Sequence, residues 1–455
     1  MTNRALILIY TEKQVRTFLE TKCFELLSQE VELDFVLQNL STIDEQLICQ
    51  KNNVFYLTAK NGILGKSGTL LSSVRLWKFR NRSQAHFNRA VASFARKKMR
   101  TSFPTMILYS MEGWSDFKRF LIRLLAKSNL LNLVVFFRKY IVRRSLKTRV
   151  RTAGIDLNHY RFAIVPFSGL LSSEFDDLTD FFQSRKIPVV AIQENWDNLS
   201  SKTFIASSPK YFLVWGEQSQ AHLKLVHRQI STLTHVAGSP RFLAYQNKNL
   251  LHSTREDQHI VRSKLAKRDF ILVTGTGDGI DDYLILTQTR KALGELPQYT
   301  DLAIIYRPHP FTRNKIDFDS LHSEVENGVI IDETPRSKNV FYHTSLVADA
   351  KLVINQFSTI LLEALFSNNK VLLPTFVNRP VKYDYSKAVN EWFHFIGLKA
   401  LPNVFISTSP DTYKTDLIKA LNTPNKDSFT SSSWFISAKI TQEEILHFYR
   451  EYLSS

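Results

Sequence analysis

LAIIYRPHP (Leu302–Pro310), followed further on by FSTILLEAL (Phe357–Leu365), decides how this chain is read. The apolar run LAIIY is a strand signal that passes directly into Pro-His-Pro. Each proline lacks the N–H that a sheet ladder requires, so pairing stops there. Arg307 and His309 are then presented at a strand's carboxyl edge, where open parallel α/β sheets bind ligands. The second stretch sets two hydroxyls, Ser358 and Thr359, at the entrance to a helix whose free N–H groups suit an anion. Together they predict a phosphate site built from two strand-to-helix loops. The structural alternative is a proline-stiffened exit with a solvent-facing His309. Glu363, one turn into the helix, is positioned to accept hydrogen bonds from a ribose; its alternative is an ordinary surface Glu.

The same alternation extends in both directions. Strand signals include ALILIY (5–10), VELDFV (31–36), VFYL (54–57), TMILY (105–109), RFAIVP (161–166), PVVAI (188–192) and YFLVW (211–215) in the first half. FILVT (270–274), GVII (328–331), KLVIN from Lys351, KVLLP (370–374) and NVFIS (403–407) continue the pattern. Helical stretches fall between them, around 12–28, 84–99, 116–147, 175–184, 281–293, 338–348, 359–367 and 410–421. Apolar, β-branched strands separated by helices predict parallel sheets covered on both faces. A chain of 455 residues exceeds one core and divides most simply into two domains. The polar stretch YQNKNLLHSTREDQH (245–259) is the expected linker. The expected domains are 1–244 and 245–435, with a last helix in 436–455 that packs back on the first domain.

Charge is unevenly distributed. From Arg75 to Arg151 there are twenty Lys/Arg against two acids, Glu112 and Asp116, a balance of +18; the net +17 of the chain leaves −1 elsewhere. Within this region 117–147 alternates Leu/Phe/Val clusters with Arg/Lys at helical spacing. Such a face is drawn to an anionic membrane surface, and Arg138, Lys139, Arg143 and Arg144 are the residues expected to hold it there. A solvated basic helix, or a mouth attracting an anionic acceptor, is the alternative. Two cysteines fit a reducing compartment. No apolar run approaches the roughly 18–20 residues that span a bilayer, and MTNRALILIY reads as a first strand rather than a signal peptide. The expected location is cytoplasmic, peripheral on the inner face of the membrane.

Further candidates lie at other strand exits. TGTGDG (274–279), with Gly275, Gly277 and Asp278, combines glycines that allow close backbone approach to phosphate. It has neither the G-x-G-x-x-G spacing nor a P-loop Lys, and a tight turn is the alternative. QENWDNLSSK (193–202) supplies Glu194, Trp196 as a flat stacking surface, Asp197 and Asn198; a structural turn would use the same Asp and Asn. Arg241 closes AGSPR (237–241). Glu112, in YSMEGWSD, is kept ionised by its basic surroundings, which makes it a candidate general base; Glu12, at the first strand's end, is the second. The histidines show no metal-ligand spacing.

The order QENWDNLSSK, VWG, GSPR, a glycine turn, YRPHP, STILLEAL and KVLLP resembles bacterial surface-carbohydrate biosynthesis proteins with the GT-B glycosyltransferase fold. The resemblance covers about 190–375. The His-Pro and Ser/Thr pairing is similar to that of sialyltransferases and Kdo transferases using CMP-sugars. RPHP with the Ser/Thr helix also resembles CDP-glycerol and CDP-ribitol phosphotransferases. The resemblance implies two Rossmann-like domains whose parallel sheets face across a cleft, and donor-nucleotide contacts at His309, Pro310, Ser358 and Thr359. It further implies metal-independent transfer without a cofactor, from a nucleotide-sugar donor to a glycan or lipid-linked acceptor. Met111-Glu112-Gly113 lacks the first acid of the pair found in sialyltransferase-type families, which leaves the base open. Two other readings stand beside it: a UDP-sugar 2-epimerase of the same fold, and a basic nucleic-acid-binding protein. The latter is disfavoured by the aliphatic content of the basic stretch and the lack of any nucleic-acid-binding signature.

Overall fold

Strands β1 (Arg4–Ile9), β2 (Glu32–Gln38), β4 (Phe162–Phe167) and β5 (Val189–Gln193) are apolar on both faces, because each face meets a layer of helices. Ala5, Ile7 and Ile9 enter one core while Leu6, Leu8 and Tyr10 enter another on the opposite side. The structure, a computed structural model, describes residues 3–38, 53–57, 130–168, 172–202, 205, 207–227, 230–275, 282–309, 328–332, 341–377, 389–390, 393–426 and 434–454. The expected strand 105–109, the helix 84–99 and the first part of 116–147 lie outside the described residues.

Two compact units are present. The first comprises Met1–Pro240, Glu391–His394 and Ser433–Ser455; the second comprises Arg241–Asn390 and Phe395–Ser432. The first holds seven strands, completed by β3 (Val54–Leu57), β6 (Tyr211–Val214) and β7 (Leu233–Val236), in the order β3-β2-β1-β4-β5-β6-β7. The second holds β8 (Phe270–Thr274), β9 (Ala303–Arg307), β10 (Val329–Ile331), β11 (Leu352–Asn355), β12 (Val371–Pro374) and β13 (Val404–Ser407) in the order β10-β9-β8-β11-β12-β13. Every described strand pair is parallel. Each unit is therefore a doubly wound, Rossmann-like α/β layer. Its direction of growth reverses once, between β1 and β4 in the first unit and between β8 and β11 in the second.

Local differences from the sequence reading have physical reasons. The stretch expected as a linker is helical, forming Leu243–Gln246, Lys248–Asp257 and His259–Ser263 inside the second unit. His252, Ser253, Arg255 and Glu256 are exposed while Thr254 and Gln258 are buried, and Asn247 caps the middle helix by accepting from the N–H groups of Asn249 and Leu250. The helix expected over 12–28 is broken into a single turn, Glu12–Gln14, and a wide π turn, Val15–Glu20. Strand β7 went unread because LTHV is half exposed at the sheet edge and lacks apolar alternation.

The closing helix Thr441–Tyr452 belongs to the first unit. Ile445, Phe448, Tyr449 and Leu453 join the core built on β1, β2 and β4. Phe448 meets Tyr211 edge-on at 5.2 Å. Truncating such a buried aromatic removes its transfer energy and leaves a cavity. Phe448→Ala should therefore lower first-unit stability by about 3–5 kcal/mol in urea denaturation, and a loss below about 1 kcal/mol would mean that this helix is not part of the core.

Candidate functional site

Register brings the second unit's candidates together. Thr274 pairs with Arg307 of β9 on one side and with Asn355 of β11 on the other, so three strands end abreast where the sheet reverses growth. Ligands of open α/β sheets bind at such reversals. The Asn355 amide locks the place: Nδ2 donates to Thr274 Oγ1 at 2.6 Å and to Ser358 Oγ at 2.8 Å, and Oδ1 accepts from the Ser358 N–H at 3.0 Å. The N–H of Gly275 donates to the Arg307 carbonyl at 2.9 Å. A Cβ on Gly275 would lie 2.5 Å from Asp282 Oδ2 and 2.8 Å from the His309 nitrogen, so only glycine lets the two loops approach this closely. Gly275, Arg307, His309 and Ser358 are thus one constellation. Gly277, Asp278 and Pro310 lie outside the described residues.

The side chains differ in what they have left to offer. Arg307 is ion-paired with Asp332, a carboxylate buried at the end of β10, and its guanidinium carbon lies 5.2 Å from the Tyr342 ring centre. Its charge is already matched, which limits what it adds to a phosphate. His309 and Ser358 are half-buried. Thr359 stands at the helix entrance without a side-chain cap bond, and the helix itself is short, Ile360–Phe366. Phe357 has φ +58°, a left-handed backbone costing a bulky residue roughly 1–2 kcal/mol. Strain of this kind concentrates at ligand loops.

Glu363 requires a correction. Its carboxylate is 1% exposed and accepts from Arg241 Nη2 (2.9 Å), Tyr245 Oη (3.0 Å) and His343 Nε2 (2.7 Å). Burial alone would raise its pKa, but the charges of His343 and Arg241 and the bonds from His343 and Tyr245 hold it at about 2. Helical spacing turns Glu363 inward, so it ties the entry segment of the second unit to the β11 helix instead of meeting a ribose. Arg241, expected at an acceptor or cleft position, is spent on this bridge.

In the first unit, the exits of β1, β4 and β5 meet. Glu194 is buried, pairs with Lys13 Nζ at 2.7 Å and accepts from Gln14 Nε2 at 3.0 Å. Asn198 Nδ2 donates to the Phe167 carbonyl at 2.9 Å. Asp197 is half-buried and accepts from Asn195 Nδ2 at 3.1 Å. Trp196 is 3% exposed and sits edge-on to His394 at 4.9 Å, so it offers no open face for stacking. Both π turns of the described residues, Val15–Glu20 and Asn198–Lys202, lie in these exits, and such turns are frequent at functional sites. Glu12 is exposed at the β1 exit, in a helical turn that Thr11 caps by accepting from the Gln14 N–H. Glu112 lies outside the described residues. Among those described, no three His/Cys/Asp/Glu are grouped to hold a metal ion.

Sequence reasoning missed Asn355, Asp332, Lys13 and Gln14. The available signal for the first two was a polar residue closing an apolar strand, KLVIN and GVIID.

No family model matches the chain, and no curated protein matches it. Solved structures share its fold along nearly the whole length. A UDP-GlcNAc 2-epimerase from Methanocaldococcus jannaschii is similar with TM-score 0.54 and 13% identity, over 98% of this chain and 99% of that one. The S. aureus protein MnaA, solved with UDP, gives 0.53 and 11% over 100% and 97%. The M. jannaschii enzyme in complex with UDP-GlcNAc and UDP gives 0.51 and 11% over 98% and 99%. At such identity the likeness is one of fold, namely two parallel-sheet Rossmann-like units of GT-B type.

The Glu363 bridge makes a test with a sign. A carboxyl whose pKa falls on folding stabilises above its ordinary 4.5, and that contribution disappears as pH drops towards about 2. The shift is worth roughly 3 kcal/mol. Glu363→Gln should therefore be destabilised at pH 7 and lose less stability than the parent between about pH 4.5 and pH 2. Parallel pH profiles of the two proteins would contradict the assignment.

Proposed function

We propose that the chain is a nucleotide-sugar-using enzyme that transfers a sugar from a nucleotide-activated donor to a surface-polysaccharide or lipid-linked acceptor. The observation that carries this reading is the bonded meeting of Thr274–Gly275, Arg307–His309 and Asn355–Ser358 at the growth reversal of the second sheet. The Ser358 hydroxyl and the His309 imidazole are the groups assigned to the donor's phosphates. Such fixed donors lower the cost of nucleotide departure because they need no reorganisation as charge develops. The His309 imidazole, at the exit of β9, is assigned to leaving-group stabilisation. The acceptor hydroxyl is assigned to the first unit, with Glu12 or Glu112 removing its proton. Peripheral association with an anionic membrane surface, on the cytoplasmic face, brings the enzyme to a lipid-linked acceptor.

The His-Pro and Ser/Thr pairing favours a CMP-linked donor, or a CDP-polyol in a phosphotransferase variant of the reaction. A second reading, 2-epimerisation of a UDP-sugar, draws on the fold neighbours, two of them solved with UDP or with UDP-GlcNAc and UDP. The epimerase needs no acceptor.

A thermal-shift panel of CMP, CDP, UDP and GDP separates the donors, since a ligand at 100 times its Kd stabilises by about 2.7 kcal/mol. His309→Ala and Gly275→Ala should each abolish the shift of the preferred nucleotide while the unliganded protein still melts cooperatively. An unchanged shift in both variants would remove the phosphate-site assignment. Turnover of UDP-GlcNAc in the absence of any acceptor would select the epimerase.

A further inference from the structure

The helix Leu130–Thr152 carries no acidic residue; its side chains are apolar, basic or uncharged polar. One side is committed to the first unit. Val142, Leu146 and Val150 are buried in its core. Arg138 Nη2 donates to Asp177 at 2.7 Å, Lys139 Nζ to Asp180 at 2.6 Å and Arg143 Nε to Asp180 at 2.7 Å. These three cations, expected from sequence to face a membrane, are staples to the neighbouring helix Ser172–Gln183.

Among the described residues, nothing covers the opposite side. Phe136, Phe137, Tyr140 and Ile141 are 66%, 54%, 60% and 50% exposed. They make up four of the eight exposed large hydrophobic residues among those described, so the apolar exposure is concentrated in two helical turns instead of scattered. Further along the same face come Arg144, Lys147 and Arg151, which with Arg185 line a groove of 980 Å³ that has no acid in its wall. From Phe136 to Arg151 the face runs about 22 Å. Aromatic rings occupy its first part and unmatched cations the remainder.

We propose that this face docks the protein on an anionic lipid surface, with Phe136, Phe137, Tyr140 and Ile141 entering the acyl boundary and Arg144, Lys147, Arg151 and Arg185 meeting phosphate headgroups. This deepens the peripheral-membrane part of the function proposed above. Apolar burial and attraction to anionic headgroups act together in such a helix. A second copy of the chain would have to press two acid-free basic grooves together. A nucleic acid would satisfy the groove and leave the aliphatic part of the ridge in water.

The test uses the full chain and sedimentation with vesicles of phosphatidylcholine, with and without about one third phosphatidylglycerol. Phe136→Ser/Phe137→Ser/Tyr140→Ser and Arg144→Gln/Lys147→Gln/Arg151→Gln should each reduce partitioning onto the anionic vesicles by at least about tenfold. Parent binding should weaken with salt and be poor on phosphatidylcholine alone. Unliganded melting and the nucleotide-induced shift should match the parent in both variants, so failure of docking is distinguishable from failure of the nucleotide reading. Retained partitioning in either variant, equal binding to neutral vesicles, or a concentration-dependent dimer abolished by the serine substitutions would overturn the proposal. So would RNA binding that exceeds vesicle binding and is lost in the same variants.

Discussion

Asn355 closes the strand at which the second sheet reverses its growth, and one planar amide there holds two loops in place. It is bonded to Thr274 on the adjacent strand and to Ser358 in its own exit loop, through both nitrogen and oxygen. A buried amide left without partners costs free energy comparable to the bonds it loses, so the loops cannot separate without paying that penalty. Gly275 and His309 then meet at a distance that no side chain on residue 275 would allow. The candidate site rests on this hydrogen-bonded ledge more than on any single charge.

Charge behaves differently from what composition suggests. Arg307, Arg241, Arg138, Lys139 and Arg143 are all attractive as anion ligands in the sequence, yet each is matched by a carboxylate inside its own unit. Burying a cation requires such a partner, because desolvation is otherwise too costly. Cations that the fold leaves exposed include Arg144, Lys147 and Arg151 of the first unit. The same reasoning explains Glu363, whose three donors hold it ionised and turned inward.

Both units place their candidate residues at the carboxyl ends of parallel strands. Neither uses a regular helix directly after the decisive strand. The first follows its β1 exit with one helical turn and then a π turn, and the second bends through a left-handed Phe357. Irregular backbone at these positions directs polar groups that a regular helix would turn into its own hydrogen bonds.

The architecture and the decisive loop were legible in the sequence because apolar alternation and proline are local signals. LAIIYRPHP announced a strand that must stop, and the repeated apolar runs announced parallel layers; β8, β9, β11, β12 and β13 lie where those runs stand. The polar stretch after 244 was misread as a linker because a surface helix and a linker share composition. Trp196 and Glu363 were misread because a residue's side of a helix or turn is not visible in its identity. Only the tertiary structure decided which charges are matched, that Asn355 ties the ends of β8 and β11 together, and which face of the basic helix is exposed. Partners such as Arg241 and Glu363, or Arg138 and Asp177, lie far apart in the chain, and only packing brings them within bonding distance.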